Sequence, residues 1–170
     1  MAASDYIESH QRIKITEIDM KVRDILRVKG GTLFTVPPSA ALSSAVLTMS
    51  DHDIGSLIVM EGDKLAGILT FREVMQALAK NHGNLDGLEV RSVMNAKPLT
   101  CNMDTEMDEV RRMMLVEHAR YLPVIDQKML MGVISFYDVA HAVVEAQDFE
   151  NSMLKAYIRD WPEDSSKAAN

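Results

Sequence analysis

The chain has 170 residues, of which 47% are hydrophobic and 25% are charged, and its formal net charge is −7. This length and composition predict a globular chain of one ordinary domain or of two very small ones that share a core. The acidic balance argues against general binding to nucleic acid or to anionic membranes, since both depend on a basic surface. No apolar run reaches the roughly 20 residues needed to cross a bilayer.

The N-terminus and the cysteine content bear on the compartment. Residues 1–6 lack the basic start and the apolar core of a signal peptide, so we expect a cytoplasmic protein. The single cysteine, Cys101, has no second thiol with which to form a disulfide or a CxxC motif. A buried structural thiol is therefore favoured over a reactive one.

The first predicted elements follow an N-terminal segment, residues 1–20, whose secondary structure is ambiguous between strand and helix. A short strand over Leu33–Val36 is stopped by two prolines, and a helix from Ser39 to Asp51 follows, with Ser39 as a suitable N-cap. Apolar strands over 56–60 and 65–69 come next, and a second helix begins at Phe71. The order is β-α-β-β-α.

The same order returns after a turn-rich stretch at residues 81–87. Residues 98–101 form the matching first strand, and a helix from Asp104 to His118 takes Asp104 as its N-cap. Strands over 121–125 and 130–134 then precede a helix that starts at Phe136.

These two sets of elements are copies of one unit. A shift from Thr35 to Thr100 aligns the chain with itself without a gap as far as Ala77 with Ala142. Two copies are too few for a solenoid, so a pair about a pseudo-twofold axis is predicted. The predicted divisions are an N-terminal segment (1–20), a first repeat (21–82), a linker (83–90), a second repeat (91–147), and a C-terminal helix and tail (148–170).

The last predicted helix has no stop signal before Trp161 and should run well past the second repeat. Its apolar residues alternate at spacings of three and four, the pattern of a helix that packs on another helix; they are Val139, Ala142, Ala146, Phe149, Met153 and Ala156. Packing within the chain and a contact between two copies both explain this seam. Residues 163–170 are expected to be a disordered tail.

The most informative motif closes each copy, at residues 67–74 and 132–139. Thr70 with Glu73 is spaced as a capping box, and Ser135 with Asp138 is a weaker version of the same cap. The same place, a strand that ends at a helix N-terminus, also suits the phosphate or the sugar of a ligand. Because an ionised carboxylate only accepts hydrogen bonds, it suits ribose hydroxyls and repels phosphate.

This motif, the β-α-β-β-α order and the Leu-Pro-Val of residues 122–124 resemble the CBS domain. The resemblance covers residues 20–147, and the flanks, such as Lys29-Gly-Gly, are similar to those of small stand-alone bacterial CBS-pair proteins. It implies an α/β (α+β) fold of two CBS repeats about a pseudo-twofold axis, called a Bateman module. Such modules bind adenosine-containing ligands in two clefts between the repeats and usually regulate rather than catalyse.

The resemblance implies two unequal sites. In the first site, Asp138 would hold the ribose, Ser135 would face ribose or phosphate, and Arg120 would face the phosphates. The adenine would lie against residues from the other copy, namely Gly30, Thr32, Phe34, Ile54, Gly55 and Ser56.

In the second site, Thr70 and Glu73 would take the sugar side. The base side would be lined by Asn95, Lys97, Leu99, Ala119 and Tyr121. Glu73 departs from the family pattern, which has Asp there, and the extra methylene displaces the carboxylate by one carbon–carbon bond. The first site is therefore the expected ribose site, whereas the second binds more weakly or differently, or only caps a helix.

The implied function is a regulatory module that binds AMP, ADP, ATP, NAD or S-adenosylmethionine and passes its state to a homodimer contact or to a downstream protein partner. The alternative is an interaction or dimerisation module with vestigial clefts. We expect no catalytic residues, metal site or catalytic cofactor, because the five histidines show no metal-ligand spacing and no phosphate-loop motif is present. An enzyme of unrecognised type is the third hypothesis.

Overall fold

The computed structural model describes residues 20–30 and 32–159. The helices are α1 (Val22–Lys29), α2 (Leu42–Asp51), α3 (Phe71–Lys80), α4 (Met107–Val116) and α5 (Phe136–Arg159), and a 3-10 turn spans Val90–Ser92. The strands are β1 (Thr35–Val36), β2 (Ser56–Glu61), β3 (Lys64–Thr70), β4 (Tyr121–Asp126) and β5 (Met129–Ser135). This order confirms a mixed α/β fold built from two repeats. The predictions for residues 1–19 and 163–170 lie outside the described residues.

Each repeat contributes a small sheet. In the first repeat β1 runs parallel to β2, and β2 pairs antiparallel with β3. In the second repeat β4 and β5 pair antiparallel, and Cys101 alone bridges to Val124 where a strand over 98–101 was predicted. That strand prediction was too long, because Pro98 has no N–H to donate to a ladder. The first strand ends at Val36, before the two prolines, as predicted, but it begins at Thr35 and not at Leu33.

Two hydrophobic cores form, and each includes residues that precede the other repeat. The core of the second repeat contains Val22 and Ile25 of α1, which are 0% and 8% exposed. The core of the first repeat contains Val90, which is 0% exposed and comes from the chain before the second repeat. The repeats are therefore interlocked by a reciprocal exchange of their leading segments.

At the start of α2, a hydrogen bond to an exchanged leading segment takes the place of the side-chain cap that the sequence predicted. Ser39 is not the N-cap; the helix begins after Ala41, whose side chain makes no cap hydrogen bond. Instead, the Leu42 N–H donates to the carbonyl of Leu88 at 2.8 Å, and Ala41 bridges to Glu89. A backbone carbonyl of the leading segment thus satisfies the first free N–H of the helix.

Helix α4 begins in the matching way. Asp104 is not its N-cap; Glu106 is, again without a side-chain cap bond. The Met107 N–H donates to the Met20 carbonyl at 2.9 Å. Asp104 instead forms an ion pair with Arg23 of α1. Both cap predictions failed for one reason, since the partner of each helix N-terminus comes from a distant part of the chain.

Paired glycines permit the close approach of the leading segments. A Cβ on Gly67 would lie 2.5 Å from the carbonyl oxygen of Asn95, and one on Gly132 would lie 2.9 Å from a methyl carbon of Leu26. Asn95 exchanges two backbone hydrogen bonds with Ile68, of 2.9 and 3.0 Å. The glycine that both copies share is needed where the other repeat's leading segment crosses the sheet.

Helix α5 extends to Arg159, as predicted, but its apolar seam is buried only at its start. Val139 and Ala142 are 2% and 8% exposed, whereas Phe149 and Met153 are 68% and 58% exposed. Contacts with the described part of the chain therefore do not cover the distal seam. None of the helices in the described ranges is both long enough and apolar enough to cross a bilayer.

Cys101 is buried in the second core, as expected, at 8% exposure. Burial raises the pKa of its thiol from 9.0 to about 11; a backbone hydrogen bond opposes this shift and Glu109 adds to it. Because the thiolate is the nucleophile, we expect iodoacetamide at pH 8 to react with native Cys101 about 100-fold more slowly than with the chain unfolded in guanidinium. Mass spectrometry of timed samples measures both rates, and equal rates would contradict the buried assignment.

Candidate functional site

A cavity of about 860 Å³ lies between the two repeats. Its walls come from the end of β3 and the start of α3, from residues 95–99, from the end of α4 and from the starts of β4 and α5. The lining residues are Ile68, Thr70, Phe71, Arg72, Glu73, Met75, Asn95, Lys97, Pro98, Leu99, Met114, Leu115, Glu117, His118, Ala119, Arg120, Tyr121 and Phe136. Ligand sites in proteins commonly have volumes of about 300–1,000 Å³.

All seven residues predicted for the second site line this one cavity. Thr70 and Glu73 stand on the first-repeat wall, at the junction of β3 and α3. The residues predicted for the base side also line the cavity, namely Asn95, Lys97, Leu99, Ala119 and Tyr121, and Asn95 is hydrogen-bonded to Ile68 of β3. Residues far apart in the sequence thus line one cavity.

The carboxylate of Glu73 is held by the helix cap. The Thr70 N–H donates to Glu73 Oε2 at 3.0 Å, the Thr70 hydroxyl donates to the same oxygen, and the Arg72 N–H donates to Thr70 Oγ1 at 3.2 Å. The predicted capping box is therefore present. Among the hydrogen bonds of the described residues these engage one carboxylate oxygen, so Oε1 is left to accept from a ligand hydroxyl.

The cavity is richer in positive charge than the chain as a whole. Arg72, Lys97 and Arg120 line it together with two carboxylates, Glu73 and Glu117, in a chain with a formal net charge of −7. Guanidinium groups bind phosphate oxygens in a two-pronged geometry that an ammonium lacks. An anion can therefore be held locally on this acidic protein.

Tyr121 connects the two predicted sites. It lines the cavity, and a Cβ on Gly55, a residue predicted for the first site, would collide with its hydroxyl. Burial raises the pKa of Tyr121; the charge of Arg120 lowers it and that of Asp138 raises it. Its hydroxyl is therefore protonated at neutral pH and can donate a hydrogen bond.

Four of the residues predicted for the base side of the first site, Phe34, Ile54, Gly55 and Ser56, lie near the start of β2. Phe34 packs on His52 with ring centroids 4.5 Å apart, and its carbonyl accepts from the Ile58 N–H. Gly55 accepts a backbone hydrogen bond from Phe71 at 3.3 Å. Ile54 and Ser56 flank it and are half-buried, whereas Gly30 and Thr32 are exposed.

Two further first-site residues stand at the β5–α5 junction, and one lies elsewhere. The Ser135 N–H and hydroxyl donate to Asp138 Oδ2 at 2.7 and 2.8 Å, and the Asp138 N–H donates to Ser135 Oγ at 3.1 Å. Arg120, predicted to face the phosphates of the first site, lines the cavity that holds the second-site residues.

The sequence alone did not single out several of these side chains. Phe71 and Phe136 both line the cavity, and their equivalence in the two copies was a usable signal. Lys29 contacts Asp138, which is 109 residues away in the sequence, and no local sequence pattern predicts such a pair.

The architecture has counterparts among known proteins. The chain is 28% identical over 147 residues to the mitochondrial CBS domain-containing protein CBSX3 of Arabidopsis thaliana, covering 81% of this chain and 71% of that protein. It is similar in structure to the CBS-domain containing protein ATU1752 of Agrobacterium tumefaciens, with a TM-score of 0.70, 28% identity, and coverage of 72% of this chain and 98% of the other.

Two structures of the same fold were solved with adenosine compounds. CBSX2 in complex with AMP has a TM-score of 0.58 and 23% identity, and covers 68% of this chain and 90% of its own. The CBS domain pair of protein MJ0100, in complex with 5-methylthioadenosine and S-adenosyl-L-methionine, has a TM-score of 0.64 and 23% identity, and covers 73% of this chain and 99% of its own. At this identity the likeness concerns the fold.

The family model for the CBS domain matches this chain twice, over residues 22–80 and 90–145. These ranges contain the two copies found by self-alignment, together with the leading segments that the structure shows to be exchanged. The chain belongs to the CBS domain family.

Proposed function

We propose that this protein is a regulatory module that binds an adenosine-containing ligand, such as AMP, ADP, ATP, NAD or S-adenosylmethionine, in the cavity of the second site. The observation that carries the proposal is the convergence of all seven predicted second-site residues on one cavity of about 860 Å³. The ligands bound by CBSX2 and by the MJ0100 domain pair support the same chemical class.

The cavity is lined by groups suited to each part of a nucleotide. Glu73 presents a carboxylate oxygen to ribose hydroxyls, and Thr70 orients that carboxylate. Arg72, Lys97 and Arg120 supply cations for phosphates. We assign the base to the wall that carries Tyr121, where an aromatic ring offers a face on which to stack.

Regulation follows from the position of the cavity. Glu73 and Arg72 belong to the first repeat, whereas Ala119, Arg120 and Tyr121 belong to the second. A ligand that contacts both walls stabilises one arrangement of the repeats over others, and this differential affinity is what shifts a conformational equilibrium. A downstream partner would then read the arrangement, with the ligand serving as a signal and not as a catalytic cofactor.

Isothermal titration with AMP tests the proposal, and Glu73→Gln is the informative variant. Glutamine preserves the capping box but removes the charge, so the fold should persist. We expect AMP to bind the variant about tenfold more weakly, because hydrogen bonds to a charged acceptor are lost.

Glu61→Gln is the matched control for that titration. Glu61 is an exposed carboxylate at the end of β2 and is absent from the cavity wall, so its replacement should leave AMP affinity unchanged. Tighter binding to Glu73→Gln would show that the phosphate, not the ribose, faces Glu73. Absence of heat with all five ligands would overturn the proposal.

One observation favours the alternative of an interaction module. Phe149, Met153 and Leu154 on distal α5 are each more than half exposed, at 68%, 58% and 60%. A homodimer formed through this helix would bury them and explain the apolar seam. This alternative predicts blank titrations together with a lower oligomeric mass after truncation at Gln147, measured by light scattering.

A further inference from the structure

Lys29, the last residue of α1, reaches the carboxylate on which the first predicted site depends. Its Nζ donates to Asp138 Oδ2 at 2.7 Å and to the Val133 carbonyl at 3.1 Å. With the two bonds from Ser135, this carboxylate oxygen accepts from three donors, one of them a full positive charge. The Asp138 side chain is only 14% exposed, so solvent screens the pair less than it would a surface pair.

The position of Lys29 is set by the core and not by a flexible surface loop. Val22 and Ile25 anchor α1 in the core of the second repeat. Leu26 packs onto Gly132 of β5. Helix α1, which packs in the core of the second repeat, therefore positions the Lys29 ammonium beside Asp138 of that repeat.

The equivalent acid of the other copy has a different environment. Glu73 accepts the same two bonds from Thr70, but none of the ion pairs within residues 20–30 and 32–159 involves it. One carboxylate is therefore ion-paired with a lysine of α1, while its counterpart has no such partner among the described residues. The two sites differ in electrostatics, beyond the Asp-to-Glu difference visible in the sequence.

We infer that Lys29 is a specificity-determining residue of the first site, which makes that site select anionic over neutral adenosine ligands. This inference rests on the proposed function and extends it to the other cleft. A neutral nucleoside that hydrogen-bonds to Asp138 must displace the Lys29 ammonium, and it has no negative charge with which that ammonium could pair instead. A ligand with a phosphate gives Lys29 a new anionic partner and frees Asp138 for the ribose. Without Lys29, the bare carboxylate would repel that phosphate.

The ratio of AMP affinity to adenosine affinity at the first site tests the inference. Both are titrated calorimetrically into Glu73→Gln protein, in which the second site is weakened, and into the same protein with Lys29→Met. We expect Lys29→Met to lower the ratio of AMP affinity to adenosine affinity by about tenfold. Adenosine itself should bind equally or more tightly, and Lys29→Arg should restore the ratio.

Arg27→Met is the matched control, because Arg27 is an exposed cation on the same helix. The inference is overturned if Lys29→Met changes the affinity ratio by less than twofold. It is also overturned if Arg27→Met lowers the ratio as much as Lys29→Met does. Binding of AMP to wild type but not to Glu73→Gln also overturns it, while the proposed function of the cavity stands. If neither compound binds wild type, both proposals fail.

Discussion

Replacement of Val22 by Asp is expected to destabilise the protein by at least about 4 kcal/mol, because it places an unpaired charge in the core of the second repeat. Val22 is 0% exposed and packs in the cluster that includes Leu122 and Ile134. Urea unfolding followed by circular dichroism measures the loss. The effect on the second core is large although Val22 precedes β1 of the first repeat in the sequence.

The region that loses stability in Val22→Asp shows whether α1 packs in the second core or in the core of its own repeat. Amide hydrogen exchange should accelerate first in β4 and β5, and later in β2 and β3. Val28→Asp is the matched control, since Val28 lies on the same helix but is 87% exposed; it should cost no more than about 0.5 kcal/mol. Equal losses for the two variants would contradict the packing of α1 in the second core.

The second large effect is expected from Gly67→Ala, with a cost of about 2–3 kcal/mol. The added Cβ would lie 2.5 Å from the carbonyl oxygen of Asn95, which is backbone and cannot rotate away. The leading segment of the second repeat would have to move off β3. Its two hydrogen bonds with Ile68 would then be lost or stretched.

Gly132→Ala is the internal comparison, because it changes the same position of the other copy. There the obstruction is the end of the Leu26 side chain at 2.9 Å, which can adopt another rotamer. We expect a cost within about 1 kcal/mol, measured by the urea midpoint at constant slope. A larger loss for Gly132→Ala than for Gly67→Ala would contradict the argument from backbone contact.

Features with local causes were predictable from the sequence. The starts of α3 and α5 at Phe71 and Phe136 were predicted because the cap and its partner are three residues apart, and both cap interactions are present. The caps predicted at Ser39 and Asp104 were wrong. There the donors of the helix are satisfied by carbonyls from the segment before the other repeat, and such partners leave no mark near the helix.

The lining of the candidate site was predictable to the extent that it follows the duplication. Tyr121 and Leu99 were named from the family pattern, and both line the cavity together with Thr70 and Glu73. The sequence also suggested that Asp138 was the stronger ribose ligand because Asp matches the family better than Glu. Side-chain length alone could not reveal that Lys29 is ion-paired with Asp138.

The sequence by itself determined that this protein is a pair of CBS repeats, since the shift from Thr35 to Thr100 carries a whole supersecondary unit with its caps and apolar periodicity. Only the tertiary structure decided that the leading segments are exchanged and that they cross the sheets at Gly67 and Gly132. It also decided that the Lys29 ammonium binds Asp138, one of the two equivalent carboxylates. The reason is physical. Repeats and caps are set by neighbours along the chain, whereas contacts such as that between Lys29 and Asp138, 109 residues apart, exist only once both cores have packed.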